Sequence, residues 1–133
     1  MLKTSLSKLK KMLPVHTKSK EFAVAIVKLG MRLQKTNKEF NLSNQLIRSA
    51  TSINANLHEA RSSESLKDYT HKVFIAFKES RETHSWLTLL KETEYISEEE
   101  YCELHKEINV ISSALYAITT AMRKKLETQK KAK

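Results

Sequence analysis

"LSNQLIRSATSINANLHEA", residues 42–60, decides how this chain folds. Leu42, Leu46, Ala50, Ile53, Leu57 and Ala60 recur at alternating steps of three and four. That spacing puts all six on one side of a helix that packs along a seam. A helix with one apolar stripe needs partners, and the rest of the sequence supplies three. Phe22, Ala23, Ile26, Leu29, Gly30 and Leu33 form a stripe before it. Tyr69, Val73, Ala76, Ser80, Thr83, Leu87 and Leu90 form one after it, widened by Phe77 and Trp86. Tyr101, Leu104, Ile108, Ile111, Leu115, Ile118 and Met122 form the last, in seven-residue double steps.

Punctuation between the stripes is short. The first helix is expected to start after "PVHTKS", because Pro14 does not suit a helix interior and Thr17 or Ser19 can cap. The second is expected to open near Ser43 and to stop at "RSSES". Ser65-Leu66-Lys67-Asp68 reads as a capping-box variant, and Ser97-Glu98-Glu99-Glu100 as a full capping box. One Gly and one Pro in 133 residues exclude the many tight turns of an all-β fold. The fold class that follows is all-α, an antiparallel up-down-up-down four-helix bundle. The expected organisation is a basic tail over residues 1–16, the bundle over 17–127, and a second basic tail over 128–133.

Charge is segregated. The formal net charge is +9. Residues 1–20 hold six Lys and no acid, and residues 123–133 hold five Lys, one Arg and one Glu. The part between is therefore close to neutral. The candidate nucleic-acid contacts are accordingly Lys3, Lys8, Lys10, Lys11, Lys18 and Lys20 at the start, and Arg123, Lys124, Lys125, Lys130, Lys131 and Lys133 at the end. In an up-down-up-down bundle these two segments meet at one end. The acidic turn with Glu92, Glu94, Glu98, Glu99 and Glu100 then lies at the other. The tails carry no aromatic residue, so they offer contacts to phosphates and no stacking of bases.

Catalytic and metal chemistry find no constellation. Cys102 stands alone, which excludes an intramolecular disulfide and a cysteine-based zinc site within one chain. Glu79, Glu82 and Glu59 suggest a carboxylate site, but no Glu is followed by His three residues later, as a di-iron bundle requires. No His pair stands at i, i+4, and Gly30 alone cannot make a phosphate loop. The ionisable residues of the two middle helices read instead as a structural polar network: Gln45, Arg48, Asn56 and Glu59 on one, Lys78, Glu79, Arg81 and Glu82 on the other. No enzymatic activity and no cofactor are expected. The longest uncharged run, Ile108 to Met122, is shorter than the roughly 20 residues a bilayer span needs, and the start has no apolar core of a secretory signal. A cytoplasmic location without membrane contact is expected.

Two blocks carry a family resemblance. Gln45-Leu46, Arg48, Ser52-Ile53, Asn56 and Glu59 form one. Ile75-Ala76, Lys78-Glu79, Glu82-Thr83, Trp86-Leu87 and Leu89-Leu90 form the other. Together they resemble the signatures of the four-helix-bundle protein family, also called the 23S rRNA intervening-sequence proteins, over roughly residues 19–125. Many relatives have Gly where this chain has Ala60, a residue that suits a helix running slightly further. The resemblance implies a bacterial cytoplasmic bundle that assembles with itself, as a pentamer in known relatives. It also implies a nucleic-acid context. Some members are encoded within insertions of rRNA genes, and a similar accessory protein works beside a reverse transcriptase. It implies no catalytic activity. The leading expectation is a non-catalytic protein that binds RNA or DNA at its basic end. The alternative is a scaffold whose partner is another protein.

Overall fold

The structure, a computed structural model, describes residues 13–132. It contains four helices: α1 (Leu13–Asn37), α2 (Asn41–Arg61), α3 (Leu66–Glu92) and α4 (Glu98–Lys131). Among the described residues there is no strand. Each helix packs against the next, and α4 closes lightly back on α1. The connections are three to five residues long, so neighbours run antiparallel and the fold is an up-down-up-down bundle.

All four apolar stripes turn inward. Ile26, Leu33, Leu46, Ile53, Leu57, Leu87, Leu90, Ile108, Ile111, Leu115 and Met122 are the largest fully buried side chains. Leu42, Phe77, Trp86, Tyr101 and Ile118 sit half-buried on the margin of this core. Between α2 and α3 the buried residues are small. Ser49, Ala50, Ala76, Ser80 and Thr83 line the contact, and the Thr83 hydroxyl lies 2.8 Å from that of Ser49. Small side chains let two helices approach closely. Their hydroxyls are satisfied by the preceding turns, Ser49 on the Leu46 carbonyl and Thr83 on that of Glu79. Gly30 does the same for α1 against α2: a Cβ there would stand 2.4 Å from Cδ1 of Ile47.

The helix starts differ partly from expectation. Ser65 accepts from the Asp68 amide at 3.0 Å and Ser97 from the Glu100 amide at 3.1 Å, as the capping boxes predict. Helix α2 instead opens at Asn41, two residues before Ser43. Its cap is the buried Glu39 carboxylate, which accepts from the amides of Leu42 (3.0 Å) and Ser43 (2.7 Å). The anion also suits the positive end of the helix dipole. Helix α1 is already formed at Leu13, so the expected start after "PVHTKS" is too late. Pro14 stands in the first described turn of this helix. Val15 and His16, placed in the basic tail by their sequence position, are buried. At the other terminus α4 stays helical through Lys131.

Helix α3 ends on a left-handed residue, Glu94, with φ 65°. The amide of Tyr95 bonds to the Leu90 carbonyl and that of Glu94 to the Lys91 carbonyl, which closes the helix in the Schellman manner. Buried Ile96 then leads into Ser97. Beside this turn the Arg32 guanidinium grips Glu100 with two bonds of 3.0 and 2.7 Å, tying the end of α1 to the start of α4.

Candidate nucleic-acid interface

The polar residues of the middle helices separate into three groups. Arg48 is the centre of the first. It donates to Gln45 at 3.4 Å and to Glu82, and its guanidinium lies 3.5 Å from Glu79. Glu82 also accepts from the Trp86 indole at 3.2 Å. Partial burial and the neighbouring Glu82 together raise the Glu79 pKa, against the pull of Arg48. Glu59 pairs elsewhere, with Lys72 at 3.4 Å, and Asn56 bonds to Ser52 one turn back. Lys78 and Arg81 form no ion pair with these groups, although the Lys78 charge still pulls the Glu79 pKa down. Lys78 sits over the Phe74 ring at 5.8 Å and Arg81 lines the groove toward α4. One helical turn explains the division. Residues 78 and 81 follow 74 and 77 at i+4, on the α4 side of α3, whereas 79 and 82 face α2. Arg48 is half exposed, so the group forms a surface latch between α2 and α3.

Of the basic candidates, Lys3, Lys8, Lys10, Lys11 and Lys133 lie outside the described residues. Lys18, Lys20, Arg123, Lys124, Lys130 and Lys131 are exposed and Lys125 is half-buried. Lys18 faces the α1–α4 groove and Lys20 the α1–α2 groove. The antiparallel topology brings the start of α1, the α2–α3 connection and the end of α4 to one end of the bundle. Residues 123–131 contribute five cations there against Glu127 alone. Arg61 adds another at the end of α2. The acidic first turn of α4 and the α3–α4 connection lie at the opposite end.

Two features escaped the sequence. His16 is buried near His58 and Arg61, and its pKa falls to about 4 through loss of solvation and the nearby positive charges. Along the α3–α4 seam, aromatic rings and cations alternate. The Arg123 guanidinium lies 4.1 Å from the Phe74 ring centre, Phe74 stacks with Phe77 at 6.3 Å, and Phe77 meets Tyr116 edge-on at 5.5 Å. Further along, His84 and His105 lie 4.9 Å apart, and Tyr101 stacks on His105 at 5.2 Å beneath Lys91. The partners that meet across the two helices are 10 to 49 residues apart in sequence, so only the register between α3 and α4 could have revealed them. Among the described residues no three His, Cys, Asp or Glu side chains converge as metal ligands, and no helix is long and apolar enough to cross a membrane.

Comparison with known proteins agrees with this architecture. The family model described as 23S rRNA-intervening sequence protein matches residues 11–117. No curated protein matches the chain. Among solved structures, the chain is similar to a crystal structure of a protein with unknown function from the S23 ribosomal protein family of Bacteroides thetaiotaomicron VPI-5482. The two are 45% identical, with 79% of this chain and 97% of that one covered and a TM-score of 0.78.

Proposed function

The chain belongs to the 23S rRNA-intervening sequence protein family, and from that premise we propose that it is a non-catalytic nucleic-acid-binding accessory protein acting through its basic end. The observation that carries this reading is the basic end of an otherwise near-neutral bundle, where the start of α1, with Lys18 and Lys20, lies at the same end as Arg123, Lys124, Lys125, Lys130 and Lys131 of α4. A concentrated positive surface draws polyanions at long range and gains affinity by releasing their counterions. Contacts of this kind tolerate any sequence.

Self-association accompanies this function. Val24 and Met31 on α1 and Val110 on α4 are large apolar side chains that stand about half exposed or more. Large apolar side chains left exposed on a folded surface support an interface. Trp86 packs against the core, and Phe74 lies under Arg123. A ring of parallel subunits, five on the family resemblance, would set every basic end on one face.

The test is charge neutralisation rather than truncation, because trimming to residue 17 would remove buried Val15 and His16. Lys18, Lys20, Lys124, Lys130 and Lys131 are replaced together by Gln in the full chain. Binding of RNA and DNA is then measured at several salt concentrations. The expected result is a loss of affinity, with a shallower dependence on salt and unchanged helicity. Undiminished, salt-sensitive binding would place the site elsewhere. Salt-insensitive capture of a protein partner, with no nucleic-acid binding, would favour a scaffold.

A further inference from the structure

We infer that the lower α3–α4 seam is a stacking subsite for unpaired nucleotides, so that this protein prefers single-stranded RNA or DNA to duplex. The inference deepens the reading above and rests on it. It concerns a surface that adjoins the basic end and shares Lys124 with it, and whose rings come from residues far apart in the chain.

The groove has a volume of about 660 Å³ and is lined from α3 by Phe77 and Arg81 and from α4 by Tyr116, Thr120 and Lys124, with small residues at its floor. Tyr116 is 53% exposed, so its ring presents a free face. Phe77 braces that ring edge-on at 5.5 Å, which holds it in place before any base arrives. Such pre-ordering lowers the entropic cost of binding. Phe74 extends the row and is covered by Arg123 at 4.1 Å.

Charge selects the occupant. Arg81, Lys124 and Arg123 border the rings, and no acid is among the lining residues. Residues 108–122 of α4 carry no charge, and Glu127 follows Lys124 only one turn later. On α3 the acids Glu79 and Glu82 are turned to the α2 side, where Arg48 engages them. Toward the other end of the seam the pattern changes. Lys91 there lies 3.6 Å from Glu98, so its charge is already matched. The electropositive stretch thus spans about residues 74–84 of α3, roughly 15 Å at 1.5 Å per residue. Flat apolar rings bordered by unmatched cations fit a ligand that alternates flat bases with phosphates. A duplex hides its base faces and could use only the cations. A second copy of the chain would need acids opposite these cations.

The experiment uses the full chain and fluorescein-labelled homopolymers: single-stranded rU and dT, and an RNA duplex. Tyr116→Ala is expected to weaken single-strand binding about tenfold, with duplex binding and the salt slope unchanged. Tyr116→Phe is expected to retain binding, since the ring and not the hydroxyl stacks. Arg81→Gln with Lys124→Gln is expected to weaken binding and reduce the salt slope. Light scattering follows the oligomeric state of each variant. Equal binding of all probes by wild type and Tyr116→Ala overturns the subsite and leaves the basic-end reading standing. A change of oligomeric state in Tyr116→Ala without loss of binding assigns the groove to a subunit interface and overturns the subsite too. Failure of the wild type to bind any probe overturns both.

Discussion

At the scale of single residues, His16 sets the response to acid. Its pKa is near 4 in the fold against 6.5 in the unfolded chain. Between those values the unfolded state binds more protons, so stability falls as pH drops from about 6.5 to 4 and is fully present above that window. At 1.36 kcal/mol per unit the loss approaches about 3 kcal/mol. Urea denaturation at pH 7 and pH 4.5 should show it, and His16→Gln should remove most of the difference. An unchanged pH dependence in that variant would show that His16 is not the responsible group. Glu94 gives a second prediction. It is a non-glycine residue in the left-handed region, at φ 65°. Glu94→Gly relieves that strain and should stabilise the fold by about 0.5–1 kcal/mol, read as a higher Tm. A lower Tm would mean that the Glu94 side chain contributes more than its backbone costs. Neither residue stood out in the sequence. His16 lay beside Pro14 in what read as a tail, and a turn can be located by its Ser97 cap without revealing which residue turns left-handed.

At the scale of helices, the stripes were legible because a period near 3.6 has one geometric meaning. Every residue of the stripes from Phe22 to Leu33 and from Tyr69 to Leu90 is buried, apart from Phe77 and Trp86, which widen the second stripe and sit half-buried. Helix ends were legible where a hydroxyl caps its own third residue, as at Ser65 and Ser97. They were illegible where Glu39 caps from outside the helix, since nothing in the local pattern distinguishes that acid from a solvated one. The division of the polar residues was hidden for a related reason. Arg48 and Glu59 are eleven residues apart on one helix, roughly 16 Å, and cannot share a partner. The approach of α1 to α2 at Gly30 supplies a further prediction. Gly30→Ala gains about 1 kcal/mol of helix propensity but puts a methyl group 2.4 Å from Cδ1 and 2.6 Å from Cγ1 of Ile47. The net effect should be a loss of about 1 kcal/mol through overpacking. Ile47→Ala in the same chain should recover it, and a double-mutant cycle measures the coupling. A coupling energy of zero would show that Ile47 moves aside freely.

At the scale of the whole molecule, antiparallel topology sets the start of α1 and the lysine-rich end of α4 at one end of the bundle, and leaves a thin seam where the last helix meets the first. That seam has a kinetic meaning. Helix α1 is held firmly on one side only, by α2, and is joined to it through three residues that begin with left-handed Lys38. It can therefore detach as a unit while α2, α3 and α4 stay together, a partial opening well below the free energy of global unfolding. Amide hydrogen exchange should find the protons of α1 exchanging before those of the small-residue contact between α2 and α3. Arg32→Ala, which cuts the tie to Glu100, should speed exchange in α1 and leave α3 unchanged. Uniform exchange across all four helices would mean that the bundle opens only as a whole. A detachable first helix also uncovers the inner faces of its neighbours, so the same opening is the step through which two chains would trade their first helices.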